Sequence, residues 1–231
     1  METLAIIPAR GGSKGLPGKN ILSLAGIPLI SHTIKAALEA ESVGRIIVST
    51  DDEAIATVAR ESGAEVPFLR PAALSDDTAS GVDACLHALE YANDSLDYHP
   101  ELVVYLQPTS PMRSAADIDA AVKLLHDRNA DSVVSVKAVT EYPQWMKKMD
   151  GEQRISPLFE ELEITAARQN LEKSYILNGA IYLSTTEALL KHRNFYGSDT
   201  RGYLMPEERS IDIDTLNDFL MAQALIAHTG S

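Results

Sequence analysis

The sequence contains a single cysteine, Cys85, in a chain of 231 residues. An intrachain disulfide is therefore excluded. Cys85 shares the apolar stripe of a predicted helix with Val82, Leu86 and Leu89, which recur at helical spacing. We therefore expect Cys85 to be a core residue rather than a nucleophile.

Long apolar runs are also missing from the chain. No stretch approaches the roughly 18 apolar residues that a membrane-spanning helix needs. The first residues read as a strand and lack the basic and apolar regions of a signal peptide. We expect a cytoplasmic protein that does not act at a membrane.

Positive charge is scarce, with 20 Lys and Arg residues against 33 Asp and Glu residues, a formal net charge of −13 and a pI of about 4.8. Proteins that bind nucleic acid depend on neutralising phosphates, so a nucleic-acid partner is disfavoured. An anionic substrate would have to be attracted by a local basic site or by a metal ion.

One local basic site is present near the N-terminus, in residues 5–20 (AIIPARGGSKGLPGKN). Residues 5–8 predict a buried strand, and the loop after it combines glycines with cations: Arg10, Gly11, Gly12, Lys14, Gly15, Gly18 and Lys19. Glycines let backbone N–H groups approach an anion, and neighbouring cations add charge-assisted hydrogen bonds. The loop predicts a phosphate-binding site, with a mobile solvated turn as the alternative. It matches neither the Walker A pattern nor the dinucleotide-binding pattern.

The rest of the chain predicts an α/β fold with a mainly parallel sheet and helices on both faces. Apolar segments that predict strands, including 45–50, 66–69, 102–106 and 132–139, alternate with predicted helices, in which apolar residues recur at helical spacing. One predicted helix buries Ile30, Ile34, Ala37 and Leu38, and the last helix, capped by Thr215, buries Leu216, Phe219 and Leu220. Ligands of such sheets bind at the carboxyl ends of the strands, where the polar loops should meet.

The alternation breaks between residues 140 and 203. Residues 1–139 and 204–231 therefore form the predicted α/β domain, and residues 140–203 form an inserted subdomain, arm or lid. We expect its aromatic residues, Trp145, Phe159, Phe195 and Tyr196, to be exposed and to favour a homodimer.

Asp212 and Asp214 are the strongest metal candidates, in the segment SIDID. Residues two apart in an extended segment point to the same side, and two adjacent carboxylates favour a cation between them. Such oxygen ligands suit Mg²⁺ shared with substrate phosphates. Spacing alone supports equally well an acidic helix N-terminus without metal.

Several motifs together resemble the CMP-sialic acid synthetases (acylneuraminate cytidylyltransferases), a family that includes CMP-legionaminic and CMP-pseudaminic acid synthetases. The resembling segments are ARGGSKGLPGKN, RPAALSDDTAS, QPTSPMR, ARQNLEKSYILNGAIY and SIDID. CMP-Kdo synthetases carry a related loop, typically with Arg-Leu-Pro and Lys-Pro, and remain an alternative. The resemblance implies a Rossmann-like nucleotidyltransferase fold and transfer of CMP from CTP to the anomeric hydroxyl of a nonulosonic acid.

The resemblance also implies roles for residues around the nucleotide. The implied catalytic residues are Arg10, Lys19, Asp212 and Asp214, with Mg²⁺ or Mn²⁺ bound by Asp212 and Asp214. The implied nucleotide-binding residues are Arg10, Gly11, Gly12, Ser13, Lys14, Gly15, Lys19, Asn20, Arg70, Asp77, Thr78 and Ser80. Among these, the resemblance implies that Arg70 and Ser80 would help read the cytosine base and that Asn20 would bind near the ribose and base.

For the sugar acid, the resemblance implies contacts from Gln107, Thr109, Ser110, Arg168, Asn178, Tyr182, Phe195 and Tyr196. The family's irregular segment is a dimerisation arm that reaches the partner's site, where Phe195 and Tyr196 would line the N-acyl pocket. Ile176 and Leu177 replace an Arg-Pro pair of several sialic acid enzymes, and Trp145 stands near a family lysine. These changes favour an N-acylated nonulosonate of legionaminate or pseudaminate type, with a methyl in place of a hydroxymethyl terminus, unless both positions serve packing.

Two other classes of protein remain as alternatives. A different nucleotidyltransferase or a nucleotide-sugar glycosyltransferase would lack Asn178-Gly179-Ala180 and carry a D-x-D motif directly after a middle strand, and no such motif directly follows residues 102–106 or 132–139. A silent nucleotide-binding module would have lost Lys19, Asp212 or Asp214, and all three are present.

Overall fold

The computed structural model describes residues 2–76, 79–160 and 171–229. Its strands are β1 (Thr3–Pro8), β2 (Ser23–Leu24), β3 (Ile27–Pro28), β4 (Arg45–Ser49), β5 (Leu102–Tyr105), β6 (Ser132–Ala138), β7 (Lys147–Met149), β8 (Ile155–Pro157), β9 (Tyr175–Thr185) and β10 (Thr200–Leu204). Its α-helices are α1 (Leu29–Glu39), α2 (Glu53–Glu61), α3 (Gly81–Leu96), α4 (Ala115–Arg128), α5 (Thr186–His192) and α6 (Leu216–Thr229).

Six strands form one sheet in the order β10-β6-β9-β5-β1-β4. The pairings of β1 with β4 and β5, and of β10 with β6, are parallel, whereas β9 runs antiparallel to both β5 and β6. The predicted mixed α/β class with a mainly parallel sheet is confirmed. The antiparallel strand β9 belongs to residues 140–203, so part of that segment lies inside the main sheet.

Alternation along β1 explains why helices cover both faces of the sheet. Ala5 and Ile7 pack with α1, α2 and α4 on one face, and Leu4 and Ile6 pack with α3 and α5 on the other. Cys85 lies in this second cluster and is fully buried, which confirms its predicted core position. Among the described residues, no helix has the length and apolarity to cross a membrane.

Helix caps fix where several of these elements begin. Asp52 accepts hydrogen bonds from the backbone N–H groups of Ala54 and Ile55 at the start of α2. Ser114 and Asp117 form the predicted capping box of α4. Because each cap follows a strand of the sheet, the helices start at the sheet edge where the loops collect.

Three sequence predictions about local structure are wrong. Residues 66–69 form no strand, because Pro67 lacks a backbone N–H and only Glu65 makes an isolated bridge, to Ile47. Leu38, in the last turn of α1, has 53% of its surface exposed. Leu216 and Leu220 are more than half exposed; α6 is apolar on most sides, so periodicity could not determine which side packs.

Phe195 also differs from expectation. It is only 4% exposed and packs in its own chain against the rings of Tyr105 and Tyr182, at centroid distances of 5.6 and 5.8 Å. The predicted exposure of this ring is therefore wrong, because two aromatic side chains at the sheet surface cover it. Tyr196, the next residue, is exposed as predicted.

Candidate active site

A cavity of about 520 Å³ opens at the carboxyl ends of β1 and β5. Many of the predicted site residues line it, namely Arg10, Ser13, Lys14, Gly15, Lys19, Asn20, Arg70, Ser80, Gln107, Thr109, Asp212 and Asp214. The folded chain thus brings together segments separated by up to about two hundred residues, at the edge of the sheet where α/β proteins bind ligands.

The glycine loop after β1 is held in place by backbone and side-chain contacts. The Gly11 N–H donates to Asp51 Oδ1 at 3.0 Å, and a Cβ at Gly11 would lie 2.7 Å from Asp52 Oδ2. Asn20 is buried and donates from Nδ2 to the Arg10 carbonyl at 3.0 Å. Gly11 and Gly12 do not line the cavity. Gly11 instead shapes the loop, because a residue with a Cβ would not fit this close to Asp52, the N-cap of α2.

Asp212 and Asp214 occupy the opposite side of the cavity. The Ile213 N–H between them donates to the Thr109 carbonyl at 2.8 Å, and Ile213 itself is fully buried. This anchor leaves the two carboxylates at the cavity, as expected for alternate residues of an extended segment. Burial, and then repulsion from Asp214, raises the pKa of Asp212 despite a hydrogen bond from Thr109 and the nearby Lys19.

Lys19 connects the basic loop with the acidic segment. Its Nζ lies 3.0 Å from Asp214 Oδ1 and 2.9 Å from the Ile213 carbonyl oxygen. The backbones also meet closely, because a Cβ at Gly15 would collide with the Asp214 carbonyl oxygen. A glycine is therefore required at position 15 if the two segments are to keep this distance.

Arg70 and Ser80 border the part of the cavity assigned to the base. Arg70 is buried; its Nη2 donates to the Ser49 carbonyl at 2.7 Å, and its Nε has no partner among the described residues. Burial lowers the pKa of its guanidinium. Ser80 caps α3 by accepting from the Val82 N–H at 3.1 Å. Two residues of this predicted set, Asp77 and Thr78, lie outside the described residues.

The residues predicted for the sugar acid separate into two groups. Gln107 and Thr109 line the cavity, whereas Ser110 and Asn178 are buried behind it. The Asn178 amide bonds to Ser135 and Ser210, at 2.6 and 2.9 Å. In this arrangement Asn178 supports the segment that carries the acids. Tyr182, Phe195 and Tyr196 lie outside the lining, and Arg168 is outside the described residues.

Sequence reasoning missed several residues of the cavity wall: Pro8, Leu74, Asp76, Ala79, Gly81, Tyr105 and Pro108. The sequence pattern indicates for Tyr105 only a place in the predicted strand 102–106. Its place at the end of β5, two residues before Gln107, was the available signal, because the last residue of a parallel strand lies at the ligand-binding edge.

Comparison with known proteins connects this geometry with a family. Residues 4–222 match the family model described as Cytidylyltransferase. The chain belongs to the cytidylyltransferase family. This cytidylyltransferase is 40% identical to a CMP-N,N′-diacetyllegionaminic acid synthase of Legionella pneumophila, over 98% of this chain and 97% of that protein.

The cytidylyltransferase is also 36% identical to an N-acylneuraminate cytidylyltransferase of Streptococcus agalactiae, over 95% of this chain and 52% of that protein. The chain thus spans about half the length of this relative. A solved structure of CMP:2-keto-3-deoxy-manno-octonic acid synthetase in complex with CTP superimposes with a TM-score of 0.71, covering 99% of this chain and 100% of that chain at 20% identity. This similarity confirms the predicted nucleotidyltransferase fold.

The donor set of the cavity suits a hard divalent cation. Asp212 and Asp214 offer carboxylate oxygens, and burial raises the pKa of Asp212, so a cation beside it would offset the cost of burying its charge. Among the described residues, no three His, Cys, Asp or Glu side chains gather to hold an ion by themselves. Two protein carboxylates completed by substrate phosphates are typical of Mg²⁺ sites.

Proposed function

We propose that this cytidylyltransferase transfers CMP from CTP to the anomeric hydroxyl of a nonulosonic acid. The observation that carries the proposal is the meeting of a cationic glycine loop and two carboxylates across one cavity, with Lys19 3.0 Å from Asp214. The names of the relatives supply the acceptor class, since one is a CMP-N,N′-diacetyllegionaminic acid synthase and another an N-acylneuraminate cytidylyltransferase.

In the proposed reaction the anomeric oxygen attacks the α-phosphorus of CTP, the bond to the β-phosphate oxygen breaks, and pyrophosphate leaves. The hydroxyl proton passes to solvent. Arg10, Lys14 and Lys19 would stabilise negative charge on the phosphates, and Ser13 and Gly15 would help hold the triphosphate. A Mg²⁺ or Mn²⁺ ion, when held by Asp212 and Asp214, supplies charge neutralisation and Lewis acidity.

A test of this activity is pyrophosphate release from CTP with a panel of acceptors. The panel contains N,N′-diacetyllegionaminate, pseudaminate, N-acetylneuraminate and Kdo. We expect turnover with a nonulosonate and preference for one of legionaminate or pseudaminate type, because Ile176 and Leu177 present half-exposed apolar side chains on β9. Turnover with Kdo alone would favour the CMP-Kdo synthetase alternative, and no turnover with any acid would contradict the proposal.

We also propose that CTP is preferred strongly over UTP and ATP. Arg70 and Ser80 border the cavity, and polar groups built to bind cytosine would be left unpaired by another base. Turnover for UTP within about tenfold of that for CTP would argue against this assignment.

A homodimer is the proposed functional unit. Exposed apolar side chains concentrate in the segment assigned to the arm, 140–203: Trp145, Met146, Met149, Ile155, Tyr175, Ile176 and Leu177. A surface of this kind favours burial against a second copy. Sedimentation at working concentration tests the dimer, and a monomer would contradict it.

Contribution of the arm in trans is a separate step of the proposal. Tyr196 is exposed and suits a contact with the partner, whereas Phe195 is buried in its own chain. In confirmed heterodimers of Lys19→Ala and Tyr196→Ala proteins, one site would regain both wild-type residues, and activity should partly return. If Tyr196→Ala is inactive alone and no activity returns, Tyr196 acts within its own chain.

We place the enzyme in the cytoplasm, where CTP is available, and cell fractionation tests this.

A further inference from the structure

Arg113 is a buried cation in the loop between β5 and α4, one residue before the cap of α4. Only 3% of its surface is exposed. Its Nη1 donates to the carbonyl oxygens of Ala180, at 2.9 Å, and of Gln107, at 3.2 Å, and its Nη2 donates to the Thr33 hydroxyl at 2.7 Å. One side chain thus connects β9, the loop after β5 and helix α1.

The hydrogen-bond partners of Arg113 are all neutral. Within the described part of the chain it forms no ion pair, since the nearby Asp117 pairs with Arg209 instead, at 2.8 Å. Burial lowers the pKa of the Arg113 guanidinium to about 9, although Asp117 raises it. Arg113 therefore stays charged at neutral pH, and its hydrogen bonds are charge-assisted constraints on the groups that accept them.

The Gln107 carbonyl closes a turn at the cavity wall, residues 107–110, which we call the Gln107 turn. This carbonyl accepts from the Ser110 N–H at 3.3 Å as well as from Arg113. The first three residues of the turn line the cavity, and the Thr109 carbonyl accepts the backbone bond that anchors the acidic segment. A guanidinium fixed behind the turn therefore determines where these lining residues stand.

The Ala180 carbonyl belongs to an irregular part of β9, where a bulge shifts the pairing register with β6. The preceding residue, Gly179, has a φ of +74°. A Cβ at Gly179 would lie 2.9 Å from Gln107 Oε1 and 3.4 Å from Asp212 Oδ2. The bulge and the Gln107 turn thus meet beside Asp212, and Arg113 holds the backbone of both.

We propose that Arg113 is a positioning residue for the sugar-acid acceptor, because its guanidinium fixes the Gln107 turn and the bulge of β9 relative to each other. This inference rests on the proposed function and refines it. The acceptor is assigned to the side of the cavity that these two segments form. The glycine loop, Arg70 and Ser80, which are assigned to CTP, make no bond to Arg113. Loss of the guanidinium should therefore impair use of the acceptor and spare CTP.

Steady-state kinetics of Arg113→Lys test the inference, with CTP and the acceptor from the panel that the wild type uses best. Lysine keeps the positive charge, but its ammonium cannot reproduce the fork of a guanidinium. The value of kcat/KM for the acceptor should fall by about 10- to 100-fold, since a misplacement on the order of 1 Å can cost about 100-fold, while the KM for CTP stays within about twofold.

Thr33→Val is the second and milder variant, because it removes only the hydroxyl that accepts from Arg113 Nη2. It should lower kcat/KM for the acceptor by about 2- to 10-fold, the range expected for one hydrogen bond. In the Arg113→Lys background it should add nothing, since two residues that act through one contact are non-additive. If Arg113→Lys does not fold, an unchanged kcat/KM in Thr33→Val would overturn the inference.

Thr3→Val is the matched control for the hydroxyl. It makes the same change at another buried threonine, at the amino end of β1 and thus at the sheet edge opposite the cavity. Leu125→Ala is the control for stability, because it deletes a buried side chain near the end of α4 and should destabilise the fold without moving the Gln107 turn. Both controls should keep wild-type kinetics below their unfolding temperatures.

An unchanged kcat/KM for the acceptor in a folded Arg113→Lys protein would overturn the inference. Equal losses in acceptor and CTP binding, or additive effects of Arg113→Lys and Thr33→Val, would do the same. A loss of the same size in Leu125→Ala would show that Arg113 acts only through stability. An inert wild-type protein would contradict the proposed function instead.

Discussion

Lys19 and Asp214 form an ion pair of 3.0 Å between residues 195 positions apart in sequence. The Lys19 side chain is 15% exposed and that of Asp214 is 73% exposed, so the lysine is fixed while the carboxylate remains open to the cavity. A second bond, from Lys19 to the Ile213 carbonyl, keeps the lysine in place when Asp214 is changed. The two charges can therefore be tested separately.

Asp212→Asn and Asp214→Asn should each remove most cytidylyltransferase activity without unfolding the protein. The amide fits the same space but supplies no negative charge for a metal ion. Turnover at saturating Mg²⁺ and thermal unfolding are the measurements. Asp127→Asn, which breaks an exposed pair with Lys123 at 2.7 Å, is the control and should stay active. Full activity of Asp214→Asn would contradict the proposal that Asp214 binds a metal ion.

Lys19→Ala should reduce kcat by roughly 10²–10³, the loss typical of one donor to developing negative charge. Its partner Asp214 is mostly exposed, so water can replace the lysine and the melting temperature should change little. Lys123→Ala removes an exposed lysine that is paired within α4 and serves as the control. A melting temperature that falls in proportion to activity would indicate a structural role instead.

Gly15→Ala should inactivate the enzyme although it adds only a methyl group. The new Cβ would collide with the Asp214 carbonyl oxygen and push the glycine loop away from the acidic segment. Gly151→Ala is the matched control, because a Cβ there meets no atom within 4 Å. Comparison of kcat/KM for CTP in the two variants is the measurement, and equal activity would show that the loop can shift without loss.

The network around Asp117 should make stability depend on acid pH. Asp117 is buried and accepts from Arg209 at 2.8 Å and from Tyr203 at 3.0 Å. Burial by itself raises the pKa of Asp117, but the bonds from Arg209, Ser114 and Tyr203 outweigh it, and the net shift is downward. A carboxyl whose pKa is lower in the folded protein than in the unfolded chain stabilises the folded state fully at pH values above its ordinary pKa of about 4. This stabilisation is lost as the pH falls through the pKa of the folded state.

Asp117→Asn should therefore cost about 2–3 kcal/mol in free energy of unfolding at pH 7. The difference from wild type should shrink on acidification below about pH 4. Urea unfolding at pH 7 and at pH 3 measures both values. A difference that is the same at the two pH values would mean that Asp117 contributes through its shape and not through its charge.

Phe195→Ala should destabilise the chain by about 3–5 kcal/mol, the usual cost of deleting a buried aromatic ring. Tyr196 is the next residue and is exposed, so Tyr196→Ala should change the free energy of unfolding by about 0.5 kcal/mol or less. Chemical denaturation of the two variants gives the comparison. Equal stability would contradict the packing of Phe195 on Tyr105 and Tyr182.

The fold was predictable where local pattern and tertiary environment agree. Ile6 and Val104 lie in short apolar runs bounded by polar loops, and both are buried in central strands. Pro67 shows the limit, because its neighbours have strand-like side chains but its backbone cannot complete a ladder. For α6, Leu216 and Phe219 are equally apolar, and only the position of β2 selects Phe219 for packing.

The site was predictable where a motif places charge or glycine, as for Lys19 and Asp214. It was not predictable where a residue acts through three-dimensional proximity. Asn178 follows the same motif logic as Gln107, yet it lies behind the cavity wall and bonds to Ser135 and Ser210. Tyr105 carries no motif and reaches the cavity only because Gly81 leaves room beside it.

The antiparallel strand β9 has a consequence for the order in which the sheet can assemble. It lies between β6 and β5, although both of these precede it in the chain. During synthesis, the group β4-β1-β5 and the strand β6 therefore emerge without their shared neighbour, and each exposes an unpaired edge until Thr185 has left the ribosome. Unpaired edges invite aggregation, so this enzyme depends on late, long-range strand insertion and should refold slowly for its size.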